Sequence, residues 1–184
     1  ANIPSGHLLY DGRSYRFIRQ LRVAPSDLEH IYWDPNSPNQ LYYPYTADMS
    51  ERRLRQLIRY DVVRDTKEVL QNFDCTGRLD FGHPKYMSWD GQVIGLRCVR
   101  GPQSIGYIVD LRAGTKTELK EPIDRLGVQV APSGKLALAG AKVIEVKTGA
   151  VVRTLITKAD EHATLGTANG VDLFVSVQFD GRHV

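Results

Sequence analysis

The sequence predicts an all-β protein made of repeated antiparallel sheets. One repeated feature is an apolar strand, a short turn and a second strand, at 30–43, 85–98, 128–140 and 162–176. Such segments, bounded by turn-forming residues, are typical of β-hairpins. A second feature is a triplet with a central acidic residue, which a turn former follows after four residues. The triplets are Tyr60-Asp61-Val62, Val109-Asp110-Leu111 and Ile144-Glu145-Val146, and the turn formers are Asp65, Gly114 and Gly149.

The spacing of the repeats predicts a β-propeller. With Asp34, Ser88, Ala131 and Gly166 as equivalent positions, the steps are 54, 43 and 35 residues, around the length of a four-stranded blade. One blade cannot bury both faces of its sheet, so blades stack around an axis to complete a core. We predict one propeller domain or propeller fragment over 1–184, with about four blades present. The predicted blade units are 28–72, 82–122, 126–157 and 160–184, with 8–22 as the end of another blade.

The sequence near each end of the chain predicts two strands, which is half of a blade. Residues 8–22 form a hairpin around Asp11-Gly12, a dipeptide that tolerates the positive φ angles of tight turns. Residues 46–56 are expected to be a polar excursion between strands, and 172–176 a strand. The strand pairs near the two ends of the chain either join to close a four-bladed ring or belong to a larger ring. We expect the larger ring, because four blades lie at the small end of the range for propellers. A propeller fragment would expose sheet edges and would be open to self-association.

The composition is that of an ordinary globular protein. The chain of 184 residues is 42% apolar and 24% charged, close to the globular average. A net charge of +3, with the arginines spread along the chain and no accompanying motif, argues against nucleic acid as a partner. No apolar run approaches the roughly 20 residues that a membrane-spanning helix needs. We therefore expect neither nucleic-acid binding nor membrane insertion.

Cys75 and Cys98 are the only cysteines, and two interpretations apply. A disulfide would suit a secreted protein. Two separate thiols, with Cys98 a small core residue on a strand, are favoured because two cysteines at this spacing match no disulfide framework. The compartment stays open on these grounds, with a secreted or periplasmic location favoured.

Acidic and aromatic residues of the repeats have structural explanations. Asp61, Asp110 and Glu145 recur at one strand position, which favours acids that cap the following turn through backbone N–H groups over catalytic acids. The aromatic cluster is either a sugar-stacking platform or, for half of its members, core and packing between blades. Its members are Tyr32, Trp33, Tyr42, Tyr43 and Tyr45.

The hairpin turns carry a family resemblance. Trp33-Asp34-Pro35, Ser88-Trp89-Asp90-Gly91 and Ala131-Pro132-Ser133-Gly134 resemble the turn signature of TolB-like and WD-type propeller repeats. No unit carries the whole signature, and the third lacks the aromatic residue. The resemblance implies the fold, whereas propellers host hydrolases, lyases, receptors and scaffolds alike.

A candidate ligand site follows from the first strand of each blade, which borders the central channel of a propeller. Glu29-His30 and Glu161-His162 occupy the same place before the equivalent positions Asp34 and Gly166. His83 lies one position earlier, relative to Ser88, and Gln129 lies two residues before Ala131. We predict that His30, His83, Gln129 and His162 converge on a ligand. Imidazoles from separate strands bind transition metals or act as bases. The alternative is that each histidine ties neighbouring blades together through a local hydrogen bond.

The positions of the histidines also resemble those of oligogalacturonate lyases, which are propeller enzymes. This resemblance implies a divalent metal (Mn, Ca or Zn) held by His30, His83 and His162, and a Lys or Arg that neutralises a uronate carboxylate. Two hypotheses therefore stand. The chain is a binding module for a glycan or protein ligand or, as the alternative, a metal-assisted uronate lyase.

Overall fold

The computed structural model describes residues 8–21, 31–47, 54–82, 86–123, 127–155, 162–168 and 171–177. All regular elements in these ranges are β-strands, so the all-β prediction is confirmed. Within the same ranges, no helix is long and apolar enough to cross a membrane.

The strands form three four-stranded and two two-stranded antiparallel sheets among the described residues. The four-stranded sheets are β3–β6, β7–β10 and β11–β14, and each is a meander of strands consecutive in the chain. The pairs β1–β2 and β15–β16 each form a two-stranded sheet. The strands are β1 Leu8–Tyr10, β2 Phe17–Gln20, β3 Tyr32–Asp34, β4 Ser37–Ala47, β5 Leu54–Asp61, β6 Thr66–Phe73, β7 Leu79–Phe81, β8 Val93–Arg100, β9 Gln103–Asp110, β10 Thr115–Pro122, β11 Val128–Val130, β12 Leu136–Ala139, β13 Lys142–Glu145, β14 Val151–Thr154, β15 His162–Ala168 and β16 Val171–Val177.

The chain divides into two compact units, residues 1–72 and 73–184. The first unit holds the β1–β2 hairpin and the β3–β6 sheet, with a core that includes Leu41, Tyr43 and Ile58. The second unit holds the remaining sheets. The predicted blade units 28–72, 82–122, 126–157 and 160–184 stay a prediction, because separate sheets do not by themselves define one ring.

Glycines let two sheets of the second unit stack closely. A Cβ atom on Gly82 or Gly95 would overlap the carbonyl group of Val128, and one on Gly106 would lie 2.7 Å from the Val128 Cγ2 atom. The three glycines come from the end of β7, from β8 and from β9, and Val128 is fully buried. The first strand of the β11–β14 sheet therefore lies directly on a glycine floor of the β7–β10 sheet.

The predicted capping of turns through backbone N–H groups is confirmed for two of the three acids, Asp61 and Asp110. Asp61 Oδ1 accepts hydrogen bonds from the Val63 and Arg64 N–H groups, both at 2.9 Å. Asp110 Oδ1 accepts from the N–H groups of the second and third residues after it, at 2.9 and 3.1 Å. Glu145, with its longer side chain, accepts from the Thr148 hydroxyl instead, at 2.6 Å. The turn formers that follow have left-handed φ angles of 59°, 64° and 69°, at Asp65, Gly114 and Gly149.

Two local predictions were wrong in detail. The 8–22 hairpin forms, but its loop runs over residues 11–16, and the left-handed residue is Tyr15 (φ 53°) rather than Gly12. The excursion expected over 46–56 is shorter, since β4 continues to Ala47 and β5 begins at Leu54. The cause is cross-strand pairing, which places Ala47 opposite Leu54 and extends both strands.

The two cysteines form a disulfide, so the interpretation as separate thiols was wrong. Cys75 and Cys98 have Cα atoms 5.6 Å apart, and both residues are buried. The strand order brings them together: Cys98 lies on β8 opposite Leu79, and Cys75 lies in the segment that leads into β7. This juxtaposition depends on strand pairing and not on the cysteine spacing.

Candidate functional site

Gln129 lies at the centre of β11 and is only 2% exposed. Its backbone partner on the next strand is Leu138. Val128 faces the glycine floor, and side chains alternate along a strand, so Gln129 faces the opposite side of its sheet. The predicted ligand residue is thus a buried polar group on the first strand of its sheet.

The histidines are described only in part. His162 begins β15 and lies opposite Val177 of β16, and β15 lies beside β11. His30 and His83 lie outside the described residues. Within the described residues, no group of three or more His, Cys, Asp or Glu side chains is placed to hold a metal ion. The ligand site and the metal site at His30, His83 and His162 therefore stay predictions.

A charged cluster that the sequence analysis missed lies on β7 and β8. Asp80, 5% exposed, accepts a hydrogen bond from Arg97 at 2.7 Å and pairs with Arg78. Asp80 is the middle residue of β7, as Gln129 is of β11, so the first strands of both sheets bury a polar residue at the same point. Two guanidinium groups share one carboxylate, which fixes both arginines. One buried acid in a strand of three residues left no recognisable signal in the sequence.

Trp89 stands on a tightly braced turn at one edge of the same unit. The Ser88 hydroxyl donates to Asp90 Oδ1 at 2.6 Å and accepts from Val93 N–H at 3.0 Å. The Gly91 N–H group closes the turn onto the Ser88 carbonyl at 3.0 Å, with Gly91 in the left-handed region at φ 70°. The indole is 63% exposed on this scaffold. The turn thus holds a large apolar ring in solvent.

The turn between β11 and β12 braces the Trp89 turn. The backbone N–H group of Trp89 donates to the Pro132 carbonyl at 3.0 Å. Gly134, also left-handed at φ 69°, packs so closely that a Cβ there would lie 3.2 Å from the Ser88 Cβ. Ser133 in turn donates its hydroxyl to Asp172 of β16 at 2.6 Å. The first hairpins of three successive sheets, β7–β8, β11–β12 and β15–β16, are thereby linked.

Arg112 completes this surface. Its Nη1 atom lies 3.3 Å from Asp90 Oδ2, and more than half of its side chain is exposed. Partial burial works against ionisation of Asp90, but hydrogen bonds from Ser88 and the Gln92 N–H group, together with the Arg112 charge, hold the pKa of Asp90 below its usual value. The carboxylate is therefore charged at neutral pH and orients the guanidinium. We call Trp89, Asp90, Arg112 and Ser133 the turn surface.

The predicted aromatic platform does not form as one surface. Tyr42 and Tyr43 are adjacent in sequence and both are buried, so both faces of β4 are covered at this point. Tyr32 and Tyr45 are half-buried, and Trp33 is half-exposed. Two of the five residues are therefore core, but they are consecutive and not alternating as predicted, and the two buried tyrosines are not available to stack on a sugar.

A second cluster of polar side chains borders a depression of about 280 Å³ on β8–β10. The Tyr107 hydroxyl donates to Glu118 Oε2 at 2.6 Å and accepts from Arg100 Nη2 at 2.7 Å. Burial and the hydrogen bond to Glu118 raise the pKa of Tyr107 to about 12. These groups satisfy one another, so the arrangement is a structural brace across three strands.

The fold resembles solved β-propellers at low sequence identity. The Dos1 propeller matches with a TM-score of 0.52 and 13% identity, over 92% of this chain and 48% of that one. TolB from Acinetobacter baumannii matches at 0.49 and 16%, over 90% and 44%. The propeller domain of the Trilobed protease from Pyrococcus furiosus matches at 0.49 and 8%, over 68% and 42%.

The sheets and the likeness to the Dos1 propeller define a β-propeller repeat protein, as predicted. Identities of this size show the fold alone. The chain spans less than half the length of the three structures. No protein-family model and no curated protein sequence matches the chain. The resemblance to oligogalacturonate lyases stays a prediction.

Proposed function

We propose that this chain is a β-propeller binding module that binds a protein ligand through the turn surface. The observation that supports this proposal is the exposed indole of Trp89 on a turn fixed by hydrogen bonds from both sides. Tryptophan and arginine are enriched among the residues that dominate binding energy at protein interfaces. A side chain whose backbone is already ordered loses little entropy on binding.

The chemistry of the surface favours a protein over a glycan. Beside the indole, Arg112 offers a guanidinium oriented by Asp90, and the Ser133 hydroxyl lies on the neighbouring turn. An apolar centre with charged and hydroxyl groups at its rim is the usual composition of a protein interface. A neutral sugar could stack on the indole, but it would not complement the charge of the guanidinium.

The metal-assisted uronate lyase remains the alternative prediction. Of its three proposed metal ligands, the described residues include only the backbone of His162, so no described observation favours it. The binding module is therefore the function that the geometry supports best.

The proposal is tested by photo-crosslinking followed by quantitative binding. A photoreactive amino acid replaces Lys135, close to the turn surface, and captured proteins from the native source are identified by mass spectrometry. The strongest ligand is then purified and titrated against the native chain, Trp89→Ala, Arg112→Ala and the control Val152→Ala. We expect Trp89→Ala to weaken binding by at least tenfold, about 1.4 kcal/mol, because truncating an interface tryptophan commonly costs this much or more.

The control separates binding from folding. Val152 is exposed on β14, away from the turn surface, so Val152→Ala should bind like the native chain. Circular dichroism should show that Trp89→Ala keeps the fold, since the indole is mostly in solvent. Equal binding by Trp89→Ala and the native chain would contradict the proposal. Capture of a glycan instead, abolished by Trp89→Ala, would replace the protein ligand by a carbohydrate.

A further inference from the structure

The β1–β2 hairpin of the first unit carries exposed apolar side chains. Tyr15 is 82% exposed, and Tyr10, Phe17 and Ile18 are each about half-exposed. The Tyr10 and Phe17 rings contact each other edge to face, with centroids 5.8 Å apart. Single exposed apolar residues are ordinary, but four within nine residues form a patch of the kind that marks interaction sites.

The hairpin is anchored and its loop is rigid. Leu21 is buried in the core of the first unit, and Leu9 packs against that core. In the loop, Asp11 Oδ1 accepts from the Arg13 N–H group at 3.1 Å and from the Ser14 N–H group and hydroxyl at 2.7 and 2.8 Å. The aromatic patch is therefore presented by an ordered loop.

Tyr15 occupies a costly backbone conformation. Its φ angle of 53° lies in the left-handed region, which costs a residue with a Cβ atom roughly 1–2 kcal/mol and a glycine almost nothing. The Tyr15 N–H group closes the loop onto the Asp11 carbonyl at 2.9 Å, a bond that any residue but proline could make. The exposed ring adds little to the core. Strain that the fold does not need is typical of residues kept for a contact outside the chain.

The charge of the patch selects its partner. Arg13 and Arg16 are exposed beside the aromatic rings. Asp11 is the only carboxylate in residues 8–21, and its Oδ1 atom is occupied by the loop. A ligand therefore meets aromatic rings and the two exposed arginines, against a single carboxylate within this hairpin. Complementary charge favours a negatively charged partner.

We propose that the β1–β2 hairpin docks an acidic segment of a partner protein that also carries an apolar side chain. The apolar residues lie on both faces of the hairpin, since Phe17 and Ile18 are successive strand residues and point to opposite sides. A flat membrane surface reaches one face only. A protein segment reaches both by folding around the hairpin tip. This surface is independent of the turn surface.

The test uses a phage-displayed library of random dodecapeptides, selected on the full chain. Counter-selection uses a variant with Tyr15→Gly, Arg13→Glu and Arg16→Glu. We expect the enriched peptides to carry net negative charge with at least one apolar residue, and to bind the native chain at least tenfold more tightly than the triple variant. Binding should weaken at 0.5 M salt, because exposed charge pairs are screened.

Tyr15→Gly alone separates recognition from folding. The glycine relieves the left-handed strain, so the thermal midpoint should stay the same or rise while peptide affinity falls by at least fivefold. The control Val63→Ser, at an exposed turn of the same unit, should change neither quantity. Enriched peptides without acidic excess, or equal affinity for the Tyr15→Gly variant, would overturn the proposal. So would binding to phosphatidylserine vesicles in the absence of peptide binding, which would assign the patch to a membrane.

Discussion

Single glycines decide how two sheets of the second unit stack. Gly82 and Gly95 are hydrogen-bonded neighbours, since the Gly82 N–H group donates to the Gly95 carbonyl at 3.0 Å. Together they admit the backbone of Val128, which no larger residue would allow. Gly12, by contrast, has nothing within 4 Å of an added Cβ. The sequence alone shows sixteen glycines and does not distinguish these roles.

We predict that Gly95→Ala destabilises the protein. The added methyl group meets a main-chain carbonyl, which cannot rotate away as a flexible side chain would, so the sheets must separate. Overpacking of this kind costs about 1–3 kcal/mol. Thermal unfolding followed by circular dichroism measures the effect.

Gly12→Ala is the matched control, and its thermal midpoint should stay close to that of the native chain. Gly12 does not have a positive φ angle, so its backbone conformation suits alanine, and there is open space for the added Cβ atom. A Gly95→Ala variant as stable as Gly12→Ala would show that Val128 does not rest on the glycine floor.

The site residues differ in how far the sequence predicts them. Gln129 was identified from its place in the repeat, and the structure puts it on the first strand of its sheet, but its burial depends on the neighbouring strands. Trp89 was visible only as part of a turn signature. Its exposure follows from the bracing of its turn by Pro132 and by the close packing of Gly134 on Ser88, which are contacts between repeats. Asp80 was missed because one buried acid in a strand has no signature.

At the scale of elements, local chemistry was predictable and long-range pairing was not. Asp61 and Asp110 accept hydrogen bonds from N–H groups two and three residues ahead, so neighbouring residues in the sequence are enough to predict their role. The extent of β4 and β5 depends on their pairing with each other. The loop of the first hairpin has six residues because Asp11 bonds to Arg16 across it, and that choice is not visible in the Asp11-Gly12 pair.

The disulfide joins the segment before β7 to β8 across a sequence separation of 23 residues. Closing a loop of this size lowers the entropy of the unfolded chain, which corresponds to about 3 kcal/mol of stability in the chain-entropy model. We predict that dithiothreitol lowers the denaturant midpoint of the native chain, measured by urea unfolding. Disulfides are typical of secreted and periplasmic proteins, so we propose the location that the sequence analysis favoured.

A double variant supplies the control for the disulfide. Cys75→Ala with Cys98→Ala should unfold at a lower urea concentration than the oxidised native chain, and dithiothreitol should have no effect on it. Both cysteines are buried, so reduction of the native chain should require transient opening and proceed slowly without urea. Equal midpoints with and without reductant in the native chain would contradict the prediction.

At the scale of the whole molecule, both compact units contain buried tyrosines. Burial and the hydrogen bond to Asp34 raise the pKa of Tyr42 to about 12. Burial, with the neighbouring Tyr60 and Tyr45, raises the pKa of Tyr43 to about 12. Tyr107 in the second unit has a similar value. Alkali should therefore destabilise both units.

Acid should destabilise the protein through carboxylates whose pKa the fold lowers. Hydrogen bonds from Ser14 and Arg13 lower the pKa of Asp11, and those from Arg64 and Val63, against an opposing effect of burial, lower that of Asp61. The hydrogen bond from Tyr107, followed by those from Arg100, lowers the pKa of Glu118. A lowered folded-state pKa gives stability above the unfolded value of about 4, and this stability is lost as the pH falls.

The tyrosines determine the sign of the alkaline effect. A phenol in the unfolded chain ionises near pH 10, whereas Tyr42, Tyr43 and Tyr107 ionise at about 12 in the fold. Their contribution is full below about pH 10 and is lost between about 10 and 12. We predict that the free energy of unfolding falls over this range and that tyrosinate absorbance at 295 nm shows a late component that coincides with unfolding. Tyr43→Phe, which keeps the ring and removes one buried phenol, should make the fall shallower, and an unchanged slope would contradict the burial of that hydroxyl.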